Sequence, residues 1–295
     1  MRKVNYCSFV FLLMLSIKVF AIDLQPGEIV APVKPFNYIQ TSYIFSNKDS
    51  YYIAGKKVLN GSNIDSSSMT VRYGHAFDLN QTPAFFYIQS PITKIDISGM
   101  SAFSYGDTSG KSGLGDTSLA FAIWPYVNRE QKKYFGVAAY LVLPTGDYDT
   151  NRIFNIGSNR YQTALQAGYQ QVLYSNINWM IALDAVFYGD NDSYLNNDKT
   201  IGTLKQDNLY TLQSGLSYDL DKNYSLAAAL FHTEGGDQTF DSIDKHNPTI
   251  LNRYQLTAQA KYSFGIFSLQ YGQDFKTENG FKEDERLILR YTFMF

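Results

Sequence analysis

Side chains that alternate apolar and polar for ten residues at a time, segment after segment, constrain this chain more than any other feature. Residues 161–170 place Tyr161, Thr163, Leu165, Ala167 and Tyr169 on one face and Gln162, Ala164, Gln166, Gly168 and Gln170 on the other. Residues 210–219 and 254–263 sort in the same way. A period of two is the signature of a strand with one face in oil and one in a polar setting. The pattern predicts strands near 37–47, 67–78, 83–93, 115–125, 133–143, 159–173, 178–189, 207–219, 223–233, 252–263, 266–275 and 285–295. No helical periodicity competes with them.

The connections sort by length. Asn80-Gln81, 174–177, 220–222 and Phe264-Gly265 are tight, with 125–132 somewhat longer. Long polar loops are expected near 48–66, 98–114, 144–158, 190–206, 234–251 and 276–284. Short turns on one rim and long loops on the other describe an all-β, antiparallel up-and-down barrel of about twelve strands in an outer membrane.

The aromatic spacing chooses the outer face. Tyr161/Tyr169, Tyr210/Tyr218, Tyr254/Tyr262 and Trp179/Phe187 each lie eight residues apart on the apolar side. Eight residues at a rise of ~3.3 Å, tilted by ~40°, span roughly 20 Å along the barrel axis, close to the ~25 Å band between aromatic girdles. A soluble barrel with the apolar face inward would put its bulk at mid-strand. Here Ala167, Ser214, Ala258 and Ala260 occupy the middle. The last strand ends on Phe295, in the manner of the terminal signature read by the barrel assembly machinery of Gram-negative bacteria.

The chain begins with Arg2 and Lys3, an apolar run to Val19 and the sequence Val19-Phe20-Ala21, which reads as a secretory signal peptide, residues 1–21. Lys18 shortens the run below the ~20 residues of a spanning helix. The sole cysteine, Cys7, falls inside it. Removing the segment leaves 22 basic against 27 acidic residues, a net charge of −5. No basic field exists to hold nucleic acid. Residues 22–36, with Pro26, Pro32 and Pro35, form an apolar periplasmic lead-in that could plug the mouth of a barrel spanning 37–295, or lie as a disordered leader.

Several segments together resemble the family of transporters associated with meta-pathway phenol degradation. They are Gly113-Leu114-Gly115-Asp116, Tyr134-Phe135-Gly136, Leu143-Pro144-Thr145-Gly146-Asp147-Tyr148-Asp149, Asn155-Ile156-Gly157-Ser158-Asn159-Arg160, Gln166-Ala167-Gly168-Tyr169 and Tyr188-Gly189-Asp190-Asn191-Asp192. The resemblance implies an outer-membrane channel for passive uptake of small aromatic or hydrophobic compounds. It carries no catalytic motif. Locally, Gly113, Gly115 and the Pro144–Asp147 run read as turn and close-approach residues.

The polar strand faces then supply the candidate solute path: Arg72, Gln162, Gln166, Gln213, Gln259, Gln270, Asp274, Arg286 and Arg290. A last turn near 278–280 pairs residues whose numbers sum to about 560, setting Asp274 against Arg286 and Gln270 against Arg290. Expected partners are outer-membrane lipid, lipopolysaccharide and the assembly machinery, besides the solute. No cofactor, metal or catalytic residue is assigned. His75, His232 and His246 lack a hydrolase motif, and the oxygen-rich Asp190–Asp198 stretch lacks the spacing of a calcium loop. The alternatives are a non-conducting structural or adhesive barrel acting through its loops, and an outer-membrane hydrolase using His232 or His246.

Overall fold

The computed structural model describes residues 25–99 and 111–295, so the expected signal segment with Cys7, residues 22–24 and the centre of the 98–114 stretch lie outside the described residues. Among the described residues, eighteen strands follow in order. They are β1 (Phe36–Ile53), β2 (Lys56–Leu79), β3 (Thr82–Ile97), β4 (Lys111–Leu114), β5 (Thr117–Asn128), β6 (Lys133–Leu143), β7 (Gln162–Tyr174), β8 (Ile177–Tyr188), β9 (Asn191–Leu195), β10 (Ile201–Gln206), β11 (Leu209–Asp219) and β12 (Tyr224–Gly235). Then come β13 (Gln238–Phe240), β14 (Ile243–Asp244), β15 (Thr249–Tyr262), β16 (Gly265–Thr277), β17 (Gly280–Lys282) and β18 (Glu285–Met294).

Twelve of these close an antiparallel barrel. Neighbours pair in chain order through β1, β2, β3, β5, β6, β7, β8, β11, β12, β15, β16 and β18, and β1 returns to β18 with Tyr38 opposite Met294 and Asn47 opposite Glu285. Closure leaves no edge, which the hydrocarbon core requires. The tight turns sit where the sequence puts them. Asn80 and Gln81 both adopt positive φ, at 49° and 69°, the left-handed pair a two-residue hairpin needs. Pro125 falls at the register shift between Ile123 and Tyr126, a bulge that spares the ladder its missing N–H.

The faces sort as the alternation demands. Leu165, Leu212, Leu256 and Leu289 are about half exposed, and Gln213, Gln255, Gln270 and Asp184 are fully buried. At the short-turn end Tyr262, Phe264, Phe267 and Tyr291 form a contiguous girdle with ring centroids 4.9–6.3 Å apart.

Two expectations need correction. Residues 48–66 are not a loop: β1 and β2 continue as one long ribbon to a turn at Ala54-Gly55. Above the lipid band nothing requires apolar alternation, so polar strands lose their signature while keeping their ladder. Likewise β10 pairs with β9 and β13, and β13 with β14, to make a second four-stranded sheet from the 190–206 and 234–251 segments.

Candidate functional site

Short turns face the periplasm in outer-membrane barrels, and at that end the interior is carved out by small residues. Gly136 on β6 and Gly168 on β7 stand directly opposite each other, and both point inward. A Cβ on Gly168 would come within 3.0 Å of Ile29 Cδ1, and one on Gly136 within 3.1 Å of Trp124 Nε1. The lead-in uses that space. Ile29 and Ala31 are buried with Trp124, Tyr134, Met180 and Ala182. Trp124 Nε1 donates to Ile29 O at 2.9 Å, and Arg129 donates to Ala31 O and Pro32 O at 3.3 and 2.7 Å.

Beside this seat lies a cavity of about 290 Å³. Tyr38, Phe85, Tyr87 and Tyr140 form a continuous row of rings along it, with successive centroids 5.5, 6.1 and 6.4 Å apart. Gly74 makes the first ring possible, since any Cβ there would sit 2.1 Å from Tyr38 Cε1. Polar groups interrupt the aromatic wall: Arg72, Glu28, Gln40 and Gln166. The Arg72 guanidinium lies 4.1 Å over the Tyr87 ring, and its Nε donates to Gln89 Oε1 at 2.9 Å. Glu28 accepts the backbone and side-chain N–H groups of Gln25, both at 2.9 Å.

The nine candidate path residues do not form one site; Gln162, Gln213, Gln259, Gln270 and Asp274 are buried, and the other four are partly buried. Arg72 and Gln166 line the cavity, where Tyr140 donates its hydroxyl to Gln166 at 2.8 Å. Gln213 donates to Asp184, and Gln270 donates to Thr257 at 3.1 Å while accepting from Arg290. Gln162 bonds Ser158 Oγ at 3.1 Å, and Gln259 stands between Ser225 and Ser268.

The last hairpin departs from the expected register by two. Gln270 faces Ile288 and Gly272 faces Arg286, so Asp274 and Arg286, like Gln270 and Arg290, are diagonal neighbours rather than direct ones. The acidic hub there is Glu283, absent from the sequence-derived set. Its carboxylate accepts Ser46 Oγ at 2.5 Å and lies 3.6 Å from Arg286 and 4.0 Å from Arg253, while its N–H donates to Asp274 at 2.8 Å. Burial works to raise this carboxyl, but Arg286, Lys48 and Arg253 hold it below the usual range. Glu283 escapes notice because it sits between strands, where alternation says nothing.

The extracellular mouth is covered by the 144–161 segment, whose Ile153, Phe154 and Ile156 pack on Ile64, Ile95, Ile97 and Leu195. The shared motifs tie it down. Asp147 accepts the Leu114 N–H, and Asp116 accepts those of Gly146 and Ser158, all at 2.9 Å. Gly146 and Gly157 approach within 3.0 Å of where each other's Cβ would be.

His232 Nε2 lies 3.5 Å from the Glu234 carboxylate. His232 lies on the outer face, bonded to Asn252 at 2.7 Å, and His246 meets Asp244 at 3.3 Å. Asp237, Asp244 and His246 do bring ligand atoms within 4.8 Å of one another, but Asp237 already accepts the Gln238 and Asn247 N–H groups. The oxygen-rich 190–198 residues each hold a separate partner, Asp190 near Lys205, Asp192 with Thr203 and Asp198 with Thr200.

Residues 48–291 match the family described as "Putative MetA-pathway of phenol degradation". The chain belongs to this family. It is similar to the COG4313 outer membrane channel from Pseudomonas putida F1, with 28% identity over 92% of this chain and 100% of that one and a TM-score of 0.86. The fold alone is shared with the translocator domain of autotransporter NalP from Neisseria meningitidis (13% identity, 92% and 91% covered, TM-score 0.51) and the beta domain of the Bordetella autotransporter BrkA (10%, 89% and 100%, 0.52). No curated protein sequence matches the chain. As a member of this family and a homologue of an outer-membrane channel, the protein is an outer-membrane β-barrel.

Proposed function

We propose that the barrel admits small aromatic compounds to the periplasm by passive transport, through a path that includes the Arg72 cavity and is restricted by the lead-in. The observation that carries this reading is the cavity wall, where a row of rings from Tyr38 to Tyr140 is broken by Arg72 and Gln166. Flat apolar faces give a monoaromatic solute contact area, and a few convergent polar groups can orient a hydroxyl on it. Family membership supports the same solute class. The barrel's polar interior supplies a passive route, with no chemistry on the solute. Lipid and lipopolysaccharide would meet the apolar outer face, and the assembly machinery the Phe295 terminus.

The test is single-channel conductance in a planar bilayer together with phenol flux into proteoliposomes. Flux above that of protein-free liposomes, reduced by Arg72→Ala, supports the reading. A second reading, a non-conducting barrel acting through its loops, is favoured by one feature: Gln213, Gln255, Gln270, Asp184 and Asp274 are at most 2% exposed, so side chains pack the interior at mid-height. Neither conductance nor flux would establish it instead.

A further inference from the structure

The extracellular segments enclose a second cavity, of about 310 Å³, at the opposite end of the barrel. Its walls come from parts of the chain far apart in sequence: Tyr51 at the end of β1, Asn196 after β9, Phe240 on β13, Lys245 after β14 and Asn279 in the β16–β17 turn. The small β9–β10–β13–β14 sheet is what gathers them.

Lys245 is the distinctive group. Its backbone N–H donates to Gln238 O at 2.9 Å, which fixes its place beside the sheet. The ammonium lies 4.9 Å from the Phe240 ring centroid and 5.6 Å from that of Tyr194, and it donates to Asn196 Oδ1 at 3.1 Å. An ammonium has three donors, and one amide oxygen uses one of them. No carboxylate comes within 4.0 Å of it among the described residues: Asp244 is turned to His246, and Asp198 acts on Lys245 only from a distance. Burial pushes the amine down to about 8, with Asp198 pulling it back toward its ordinary value.

A half-buried ammonium over two rings, with spare donors and room beside it, suits a carboxylate attached to a flat apolar body. The carboxylate would gain charge-assisted hydrogen bonds in a partly desolvated setting, and the ring would add contact area against Phe240. From this geometry we infer that the cavity is an external docking site for small aromatic monocarboxylates, held by Lys245. Under the uptake reading it would collect such solutes at the cell surface, ahead of the lumen. Binding does not depend on conduction, so failure here and failure of the uptake reading are separate results.

The experiment is calorimetric titration of the mature protein in detergent micelles with benzoate, and with benzyl alcohol as the neutral analogue. At pH 7 benzoate should bind at least tenfold more tightly than the alcohol. Its affinity should fall at least tenfold by pH 9.5, because benzoate stays ionised while the site loses its charge. The titratable groups around the ammonium are Asp198, Asp244, His246, Tyr51 and Tyr194. His246→Gln should leave the alkaline loss in place, Lys245→Arg should preserve affinity to pH 9.5, and Lys245→Met should abolish the preference for benzoate. Wild-type binding of benzoate at pH 7 no tighter than that of benzyl alcohol overturns the proposal without recourse to any variant. So does benzoate binding that survives Lys245→Met, which would place it elsewhere, for instance at Arg72 in the lumen.

Discussion

The Trp124 indole N–H donates to the Ile29 carbonyl at 2.9 Å inside the periplasmic end of the barrel. This bond joins the lead-in to the wall on β5, and Arg129 just beyond that strand adds two more. Apolar burial of Ile29 over Gly168 and Ala182 surrounds it, so the contact combines a directed bond with a shape match. The lead-in is thereby seated rather than threaded into the sheet, as its prolines require.

If the lead-in restricts the path, deleting residues 25–32 while retaining residues 1–24 should raise single-channel conductance and antibiotic leakage. Trp124→Phe should act in the same direction but more weakly, since it removes one hydrogen bond worth about 0.5–1.5 kcal/mol and leaves the apolar contact. Unaltered conductance in a deletion variant that assembles normally would deny the segment a gating role.

The seat can also be filled from the wall. Gly168→Leu places a side chain where Ile29 Cδ1 lies, at a position that faces inward and not toward lipid. The barrel should still fold, and protease should cut the lead-in faster than in the parent. Equal cutting rates would mean that the lead-in tolerates the intrusion.

What the sequence revealed and what it hid divide along the lipid boundary. Leu165 and Gln166 were assignable to opposite faces because hydrocarbon on one side forces the alternation along β7. Tyr52 and Leu59 carry no such imprint, so the ribbon of β1 and β2 beyond the membrane read as loop. Interior contacts across elements were hidden for another reason. Nothing local to Gly136 or Gly168 says that one clears space for Trp124 and the other for Ile29, although both glycines stood within the family-like motifs. Glu283 is not legible because Ser46 reaches it only by closure of the barrel and Arg253 only by the pairing of β15, β16 and β18.

The face assignment predicts an asymmetry along one strand. Leu165→Arg or Leu256→Arg should cost ~2–4 kcal/mol near the midplane. Gln166→Arg should cost less, because residue 166 borders the cavity and loses chiefly the bond from Tyr140, about 0.5–1.5 kcal/mol. Urea titration of the barrel in lipid vesicles reports each cost, and equal losses at 165 and 166 would contradict the orientation.

The final prediction concerns Glu283, whose carboxylate is shared by Arg253 and Arg286. Removing one acidic member of a buried charged group weakens the compensation of the rest, at a cost of up to about 3–5 kcal/mol. Glu283→Gln should therefore destabilise the hairpin of β16 and β18 and, if the lumen conducts, shift selectivity toward anions by removing one negative charge beside Arg253 and Arg286. The pH dependence has a definite sign. A carboxyl held below its unfolded value contributes stability that is present above that value and lost as pH falls through the lower, folded one. Wild-type protein should thus lose stability on acidification below the ordinary glutamate range, with the loss extending to the lower pH at which the folded carboxyl takes up its proton. Glu283→Gln should lose less over that interval, having no such proton to bind. Identical acid profiles in urea titrations of the two proteins would remove Glu283 as the origin of the effect.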